Sequence, residues 1–204
     1  MTGRLSAAEL RTLAQVASES VRRAVLDRRT WHPDLAAQPA VLQRPGAAFV
    51  TLRRDGKLRG CIGTLEAVEP LAWCVADRAR AAALSDPRFR PIRRDDLPFL
   101  DVEVSVLSEP ESFEADSYAD LVTSLLPGVD GLLVESGPQR ATLLPSVWED
   151  LPNAEEFVGA LWHKAGLMPG YWSPAIRLWR YTATFAESHV GRGPDRGRGV
   201  EPAR

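Results

Sequence analysis

Cysteine is scarce in this chain: of 204 residues, only Cys61 and Cys74 carry a thiol. Two are too few for the disulfide framework of a small secreted domain or for a structural zinc site, so no metal is expected and a reducing cytoplasm is the default. Histidine is found only at positions 32, 163 and 189, too scattered to suggest a ready-made base, and each reads as a surface or packing residue. Lysine stands at 57 and 164 alone, so the 25 basic residues are almost all arginine, a bias of genome composition more than a functional signal. With 27 acidic residues the net charge is −2, which leaves no electrostatic footprint for nucleic acid or an anionic membrane. No run of eighteen apolar residues is present to span a bilayer, and MTGRLSAAELRTL has no apolar core of the signal-peptide kind. A cytoplasmic protein with neither a membrane nor a nucleic-acid partner is expected.

What remains is ordinary globular material, 45 % hydrophobic and 25 % charged, long enough for one full core or a domain with a smaller lobe. Ser6 and Glu9 have capping-box spacing, and Leu10, Leu13, Ala14, Ala17, Val21 and Val25 keep a helical stripe to about residue 27. Prolines at 33, 39 and 45 make 31–46 an irregular connection. AAFVTLRRDGKLRGCIGTL predicts a hairpin over 47–65 turning at Asp55-Gly56, in a sheet that also holds the alternating run DVEVSVLS at 101–108. Pro70 opens a helix running to Leu84. Farther on, a short helix is predicted near 116–125 and a second hairpin around Ser136-Gly137-Pro138. A helix capped by Asn153 and Glu156 then ends at Gly166, and IRLWRYTATF (176–185) reads as one strand. Hairpins and irregular alternation argue for an α+β fold over a purely parallel sheet. A domain over 6–188 is expected, then a disordered Gly/Arg-rich tail, 189–204, in which GRGPDRGRGVEPAR offers no apolar anchor.

Three clusters carry candidate chemistry. In LRGCIG (58–63) strict alternation puts Cys61 on one face with Arg59 and Gly63, and Leu58, Gly60 and Ile62 on the other. A guanidinium near a thiol favours the reactive thiolate, and Gly60 and Gly63 would clear space for a ligand to reach Cys61. The bland account of the same residues is a small buried hydrophobe flanked by glycines that permit close backbone packing. In SDPRF (85–89), Asp86 is held extended before Pro87 and can pair with Arg88 across the turn. Glu103 sits mid-strand among valines with Ser105 two residues on, facing either water or a cleft.

Taken in order and spacing, FVTL…GKLRGCIG, PL…V…A…AA…DPRF, VEVSVLS, LLPSVWEDLPNAEEF and KAGL…W resemble the AMMECR protein family, whose bacterial members are called AmmeMemoRadiSam system protein A. The resemblance covers roughly residues 8 to 185 and implies an α+β fold with a mixed or antiparallel sheet, flanking helices and a smaller lobe. It marks LRGCIG as the family's signature and as an active or binding site. It also implies a shared pathway with a Memo-like protein and a radical SAM protein, and brings with it no established reaction or cofactor. Two positions depart from the pattern: Asp130 stands where many members carry histidine, and Ser146 where many carry glutamine.

Two functions follow. One is an enzyme on a small molecule, with Cys61 as nucleophile or ligand contact, Glu103 as acid or base, and Arg59 or Arg88 holding an anionic group beside Gly60, Gly63 and Asp86. The other is a binding or adaptor protein in which the same cluster is a recognition surface or a fold signature. Convergence of Cys61, Arg59, Arg88 and Glu103 on one open site favours the enzyme. A test of the tail follows from composition alone. Ending the chain after Val190 is expected to leave the thermal midpoint unchanged, and a fall of more than a few degrees, about 1 kcal/mol, would show that the tail docks.

Overall fold

Ser6 and Glu9 form the capping box their spacing predicts. The Ser6 hydroxyl accepts the Glu9 N–H at 3.3 Å and the Glu9 carboxylate accepts the Ser6 N–H at 2.6 Å, satisfying donors that a helix start leaves unpaired. The protein, seen here in a computed structural model, is described over residues 5–191. In chain order its elements are α1 (Ala7–Leu26), β1 (Ala48–Arg54), β2 (Lys57–Gly63), α2 (Leu71–Leu84), β3 (Leu100–Leu107), β4 (Glu111–Ser112), α3 (Tyr118–Ser124), β5 (Gly131–Ser136), β6 (Gln139–Leu143), α4 (Ala154–Ala165), β7 (Arg177–Tyr181) and β8 (Ala183–His189). Short 3-10 turns fill the proline-rich connection at Leu35–Ala37 and Ala40–Gln43.

Two compact units result. The first runs to Leu107 and resumes at Thr184; the second, Ser108–Ala183, is inserted between β3 and β8. The first unit holds the sheet β2-β1-β3-β8 and the second holds β4-β7-β5-β6. β1 is antiparallel to both β2 and β3, and β7 and β5 are antiparallel to their partners in the second sheet. The expected α+β class holds, its sheets antiparallel.

The first hairpin turns where Asp-Gly predicts. Asp55 and Gly56 both have positive φ, at 50° and 75°, the conformation that a two-residue turn needs to match the twist of its strands. Along β1 and β3, Val50 and Leu52 lie beside Val104 and Val102, all fully buried on the face covered by α1 and α2. Alanine lines the inner side of α2 at 72, 76, 79, 82 and 83, so this helix comes very close to the sheet. Gly60 is the point of closest approach: a Cβ there would stand 2.1 Å from the Ala82 carbonyl oxygen. Phe49 explains Gly63 in the same way, since its ring would lie 2.1 Å from an added Cβ. The space beside both glycines is therefore filled by the protein itself, and neither is bare toward solvent as a ligand passage requires.

One expectation about the strand fails for a definite reason. Leu52 opposes Gly60 but Arg53 opposes Leu58, which leaves Arg59 as the extra residue of a β-bulge. Leu58 and Arg59 together oppose Arg53, so the strict alternation counted from Cys61 ends at the bulge. A second expectation also changes: the run 176–185 is not one strand. Thr182 separates β7 from β8, which belong to different sheets. Its N–H donates to the Ser108 hydroxyl at 3.0 Å and its carbonyl accepts the Ser108 N–H at 2.9 Å.

The second unit has its own core around Leu121, Leu132, Phe157, Leu161 and Trp162, with Trp148 stacked on Phe157 at a centroid distance of 3.9 Å. Asn153 caps α4 by accepting the N–H groups of Glu155 and Glu156, and Gly166 ends it with φ at 74°. Of the expected tail, residues 192–204 lie outside the described residues. His189 closes β8, and the buried Val190 donates its N–H to the Leu100 carbonyl at 2.8 Å.

The glycines give a paired test. Gly60→Ala is expected to destabilise by about 2–3 kcal/mol, because the methyl meets backbone that cannot turn aside. Gly159→Ala, inside α4 with nothing within 4 Å of the added carbon, is expected to stabilise by about 0.5–1 kcal/mol. Urea denaturation midpoints of the two variants read both signs.

Candidate functional site

β2 is an edge strand, so its outward N–H and C=O groups need partners from outside the ladder. At Cys61 the DPRF segment supplies them. Asp86 Oδ2 accepts the Cys61 N–H at 2.8 Å, and Arg88 Nη2 donates to the Cys61 carbonyl at 3.1 Å. Arg88 in turn is bound to Asp86 through Nε at 3.0 Å, Nη2 at 2.8 Å and its own backbone N–H at 3.1 Å. The pairing expected across the turn is present, and it grips a strand twenty-five residues upstream in sequence. The Asp86 side chain is almost wholly buried while that of Arg88 is half exposed. Hydrogen bonding from the Arg88 side chain holds the Asp86 carboxyl well below the usual carboxylate range; burial opposes the shift and the Cys61 amide adds to it. The same contact raises the Arg88 guanidinium, with further contributions from its proximity to Cys61.

Because the main-chain groups of Cys61 point outward, Cys61 and Thr51 face each other as a non-hydrogen-bonded pair, the arrangement in which side chains come closest. The Thr51 hydroxyl donates to the Cys61 sulfur at 3.3 Å. Thr51 also opposes Glu103 on β3, so Cys61, Thr51 and Glu103 form one row across three strands, on the face away from the helices. Two strand spacings separate the thiol from the carboxylate, about 10 Å. Ser105 donates to Glu103 at 3.4 Å. Arg53 with Asp101 flanks the row on one side and Phe49 with Ser105 on the other. Cys61 and Glu103 are half-buried and Thr51 is 8 % exposed.

Of the residues singled out from sequence, Cys61 and Glu103 share this face, and Asp86 with Arg88 meets Cys61 through its backbone. Arg59, in the bulge, is half-buried and has no hydrogen bond or ion pair among the described residues. Gly60 and Gly63 abut Ala82 and Phe49. Thr51 escaped sequence reasoning, because a threonine in a β-rich run is unremarkable until the register sets it between a thiol and a carboxylate. The histidines lie elsewhere: His32 stacks on Trp73 at 5.2 Å and contacts Asp77, His163 is exposed on α4, and His189 sits between Asp101 and the Pro98 carbonyl. Cys74 is fully buried, and burial pushes its thiol up to about 11. Asp130 is buried as well and accepts the Leu126 N–H at 2.9 Å, so the departure from histidine gives this chain a turn-closing acceptor.

Among the described residues no group of three or more His, Cys, Asp or Glu is arranged to hold a metal ion, and no helix is long and apolar enough to cross a membrane. The family model described as AMMECR1 matches residues 14–186, a span that takes in both units, LRGCIG and DPRF. The chain belongs to the AMMECR1 family. A relative from Methanothermobacter thermautotrophicus is 41 % identical over 182 residues, covering 88 % of this chain and 94 % of its own. One from Thermococcus gammatolerans is 36 % identical over 195 residues, with 90 % and 92 % covered. The crystal structure of an uncharacterised protein from Pyrococcus horikoshii has a TM-score of 0.84 at 31 % identity, over 93 % of this chain and 96 % of that one.

The Asp86 clasp of this AMMECR1 protein has a pH signature. A carboxylate whose folded pKa is depressed contributes stability that is present above its unfolded value, about 3.9, and is lost as pH falls toward the folded one. Asp86→Asn is expected to cost about 1–3 kcal/mol at pH 7, from a weakened buried acceptor facing four N–H donors. The gap between wild type and variant should narrow below about pH 4, as followed by urea denaturation at stepped pH. A gap independent of pH would mean that the charge of Asp86 does not matter.

Proposed function

We propose that this AMMECR1 protein is an enzyme acting on a small molecule at the face of its first sheet that lies away from α1 and α2. The observation that carries the reading is the row Cys61–Thr51–Glu103, in which a partly exposed, hydrogen-bonded thiol and a carboxylate lie about 10 Å apart with Thr51 between them. In this reading Cys61 is the nucleophile or direct ligand contact, and Glu103 is the acid or base. Arg88, anchored by Asp86 yet half exposed, offers its remaining donors to an anionic group. Arg59 serves the same end from the bulge, and Asp86 acts as a positioning residue because its carboxylate is consumed internally. The resemblance to AmmeMemoRadiSam system protein A supports a place in one pathway with a Memo-like protein and a radical SAM protein.

An adaptor reading has its own support. Gly60, Gly63, Asp86 and Arg88 each have a packing or stapling task, which accounts for much of LRGCIG and DPRF with no substrate. The two readings separate on the thiol, since a Cys61→Ser change keeps the backbone clasp intact. Co-expression with a Memo-like protein and a radical SAM protein, followed by metabolite profiling, is the test. The enzyme reading expects Cys61→Ser to erase the metabolite change and Glu103→Gln to reduce it at least about ten-fold, with thermal midpoints close to wild type. An unchanged profile for a folded Cys61→Ser protein would leave the adaptor reading standing.

A further inference from the structure

The second unit contains a cavity of about 350 Å³, where β4 and the segment after it meet β7. This volume falls in the range of small-molecule pockets, about 300–1,000 Å³. Its lining includes Phe113, Trp172, Ile176 and Trp179, with Glu114 and Asp116 beside them. Phe113, Trp172 and Ile176 pack against the core of this unit, so the apolar floor is held in place from below. Both carboxylates are exposed, and neither side chain has a hydrogen-bond or ion-pair partner among the described residues. Nor do the indole N–H groups of Trp172 and Trp179 have one, although Trp148 and Trp162 in the same unit donate to backbone carbonyls at 2.7 and 2.8 Å.

The aromatic walls already accept cations. Arg177, another lining residue, lies over the Trp179 ring at 5.7 Å, and Arg180 lies over Phe113 at 5.0 Å. Arg177 pairs with Glu135 at 2.9 Å, a carboxylate shared with Arg140 at 2.9 Å, whereas Glu114 and Asp116 meet no cation. Aromatic faces attract a cation through the ring quadrupole, and the attraction grows as water is excluded. Carboxylates at the rim add Coulombic attraction of the same sign. A cation with an apolar stem would satisfy the rim and the floor together.

We infer that this cavity is a binding site for a small organic cation, a guanidinium or alkylammonium group on a short apolar chain, held by Trp172, Trp179 and Phe113 and selected by Glu114 and Asp116. The site lies wholly within the second unit and does not depend on the reading of Cys61. Agmatine is the probe: titrated into the full-length protein labelled with ¹⁵N at tryptophan, it is expected to move the indole resonances of Trp172 and Trp179 in a saturable way. The resonance of the buried Trp162 should stay in place. Millimolar affinity is expected, about −4 kcal/mol. The double change Glu114→Gln with Asp116→Asn, at two exposed positions that leave the fold undisturbed, should weaken binding about five-fold or more. Neutral N-butylacetamide and anionic glutarate should not bind. The inference is overturned if agmatine gives no saturable shift, if N-butylacetamide or glutarate binds as well as agmatine, or if the double variant binds agmatine unchanged.

Discussion

The clasp of Asp86 and Arg88 on the backbone of Cys61 is the constraint on which the Cys61 side of the first sheet depends. An edge strand offers unpaired donors and acceptors, and a protein that leaves them open invites a neighbouring chain to pair there. Here a carboxylate and a guanidinium stand in for the missing strand at one residue. The clasp also ties the exit of α2 to β2, and the contact of Gly60 with Ala82 draws the same two elements together from the core side. Helix, turn and strand are thereby locked as one piece, and the direction in which Cys61 presents its sulfur follows from that lock.

On the face away from the helices the thiol is neither solitary nor surrounded by obvious catalytic partners. Thr51 donates to it and Glu103 lies one strand beyond, while the histidines are engaged with Asp77, with Asp101 or with solvent. A Cys-His dyad is thus not the arrangement on offer. By register this face carries Arg53, Asp101 and Glu103 around Thr51 and Cys61.

Much of the local architecture was legible in the sequence, because it is written in short-range chemistry. Ser6 and Glu9, Asp55-Gly56, Asn153 and Gly166 each sit at the element boundary that their side chain or φ preference dictates. The pairing of Asp86 with Arg88 was legible too, being two residues apart. Features that need a third dimension were not. A bulge at Arg59 shifts the alternation by one residue, and nothing in LRGCIG marks which residue will be extra. The break at Thr182 separates strands that read as one apolar, β-rich run. Gly60 and Gly63 announced that something comes close, and only packing shows that it is Ala82 and Phe49. Thr51 and the aromatic cavity of the second unit were invisible for the same reason, since each is defined by neighbours distant in sequence.

The insertion of the second unit into the first has a consequence for how the chain is made. β8 is the outer neighbour of β3, yet all of Ser108–Ala183 must be synthesised before β8 exists. Closing that span as free chain costs about 4 kcal/mol in loop entropy by the logarithmic scaling with length. If the inserted unit folds first, its two ends are already joined through Ser108 and Thr182 at 2.9 and 3.0 Å, and β8 is delivered beside β3 with most of that cost met. Translation would then build this protein from the inside out: three strands wait with one edge open, the insert matures, and the last strand seals the sheet. A slow step in the insert would hold the β3 edge exposed in the nascent chain, which makes the second unit the pacemaker of the first.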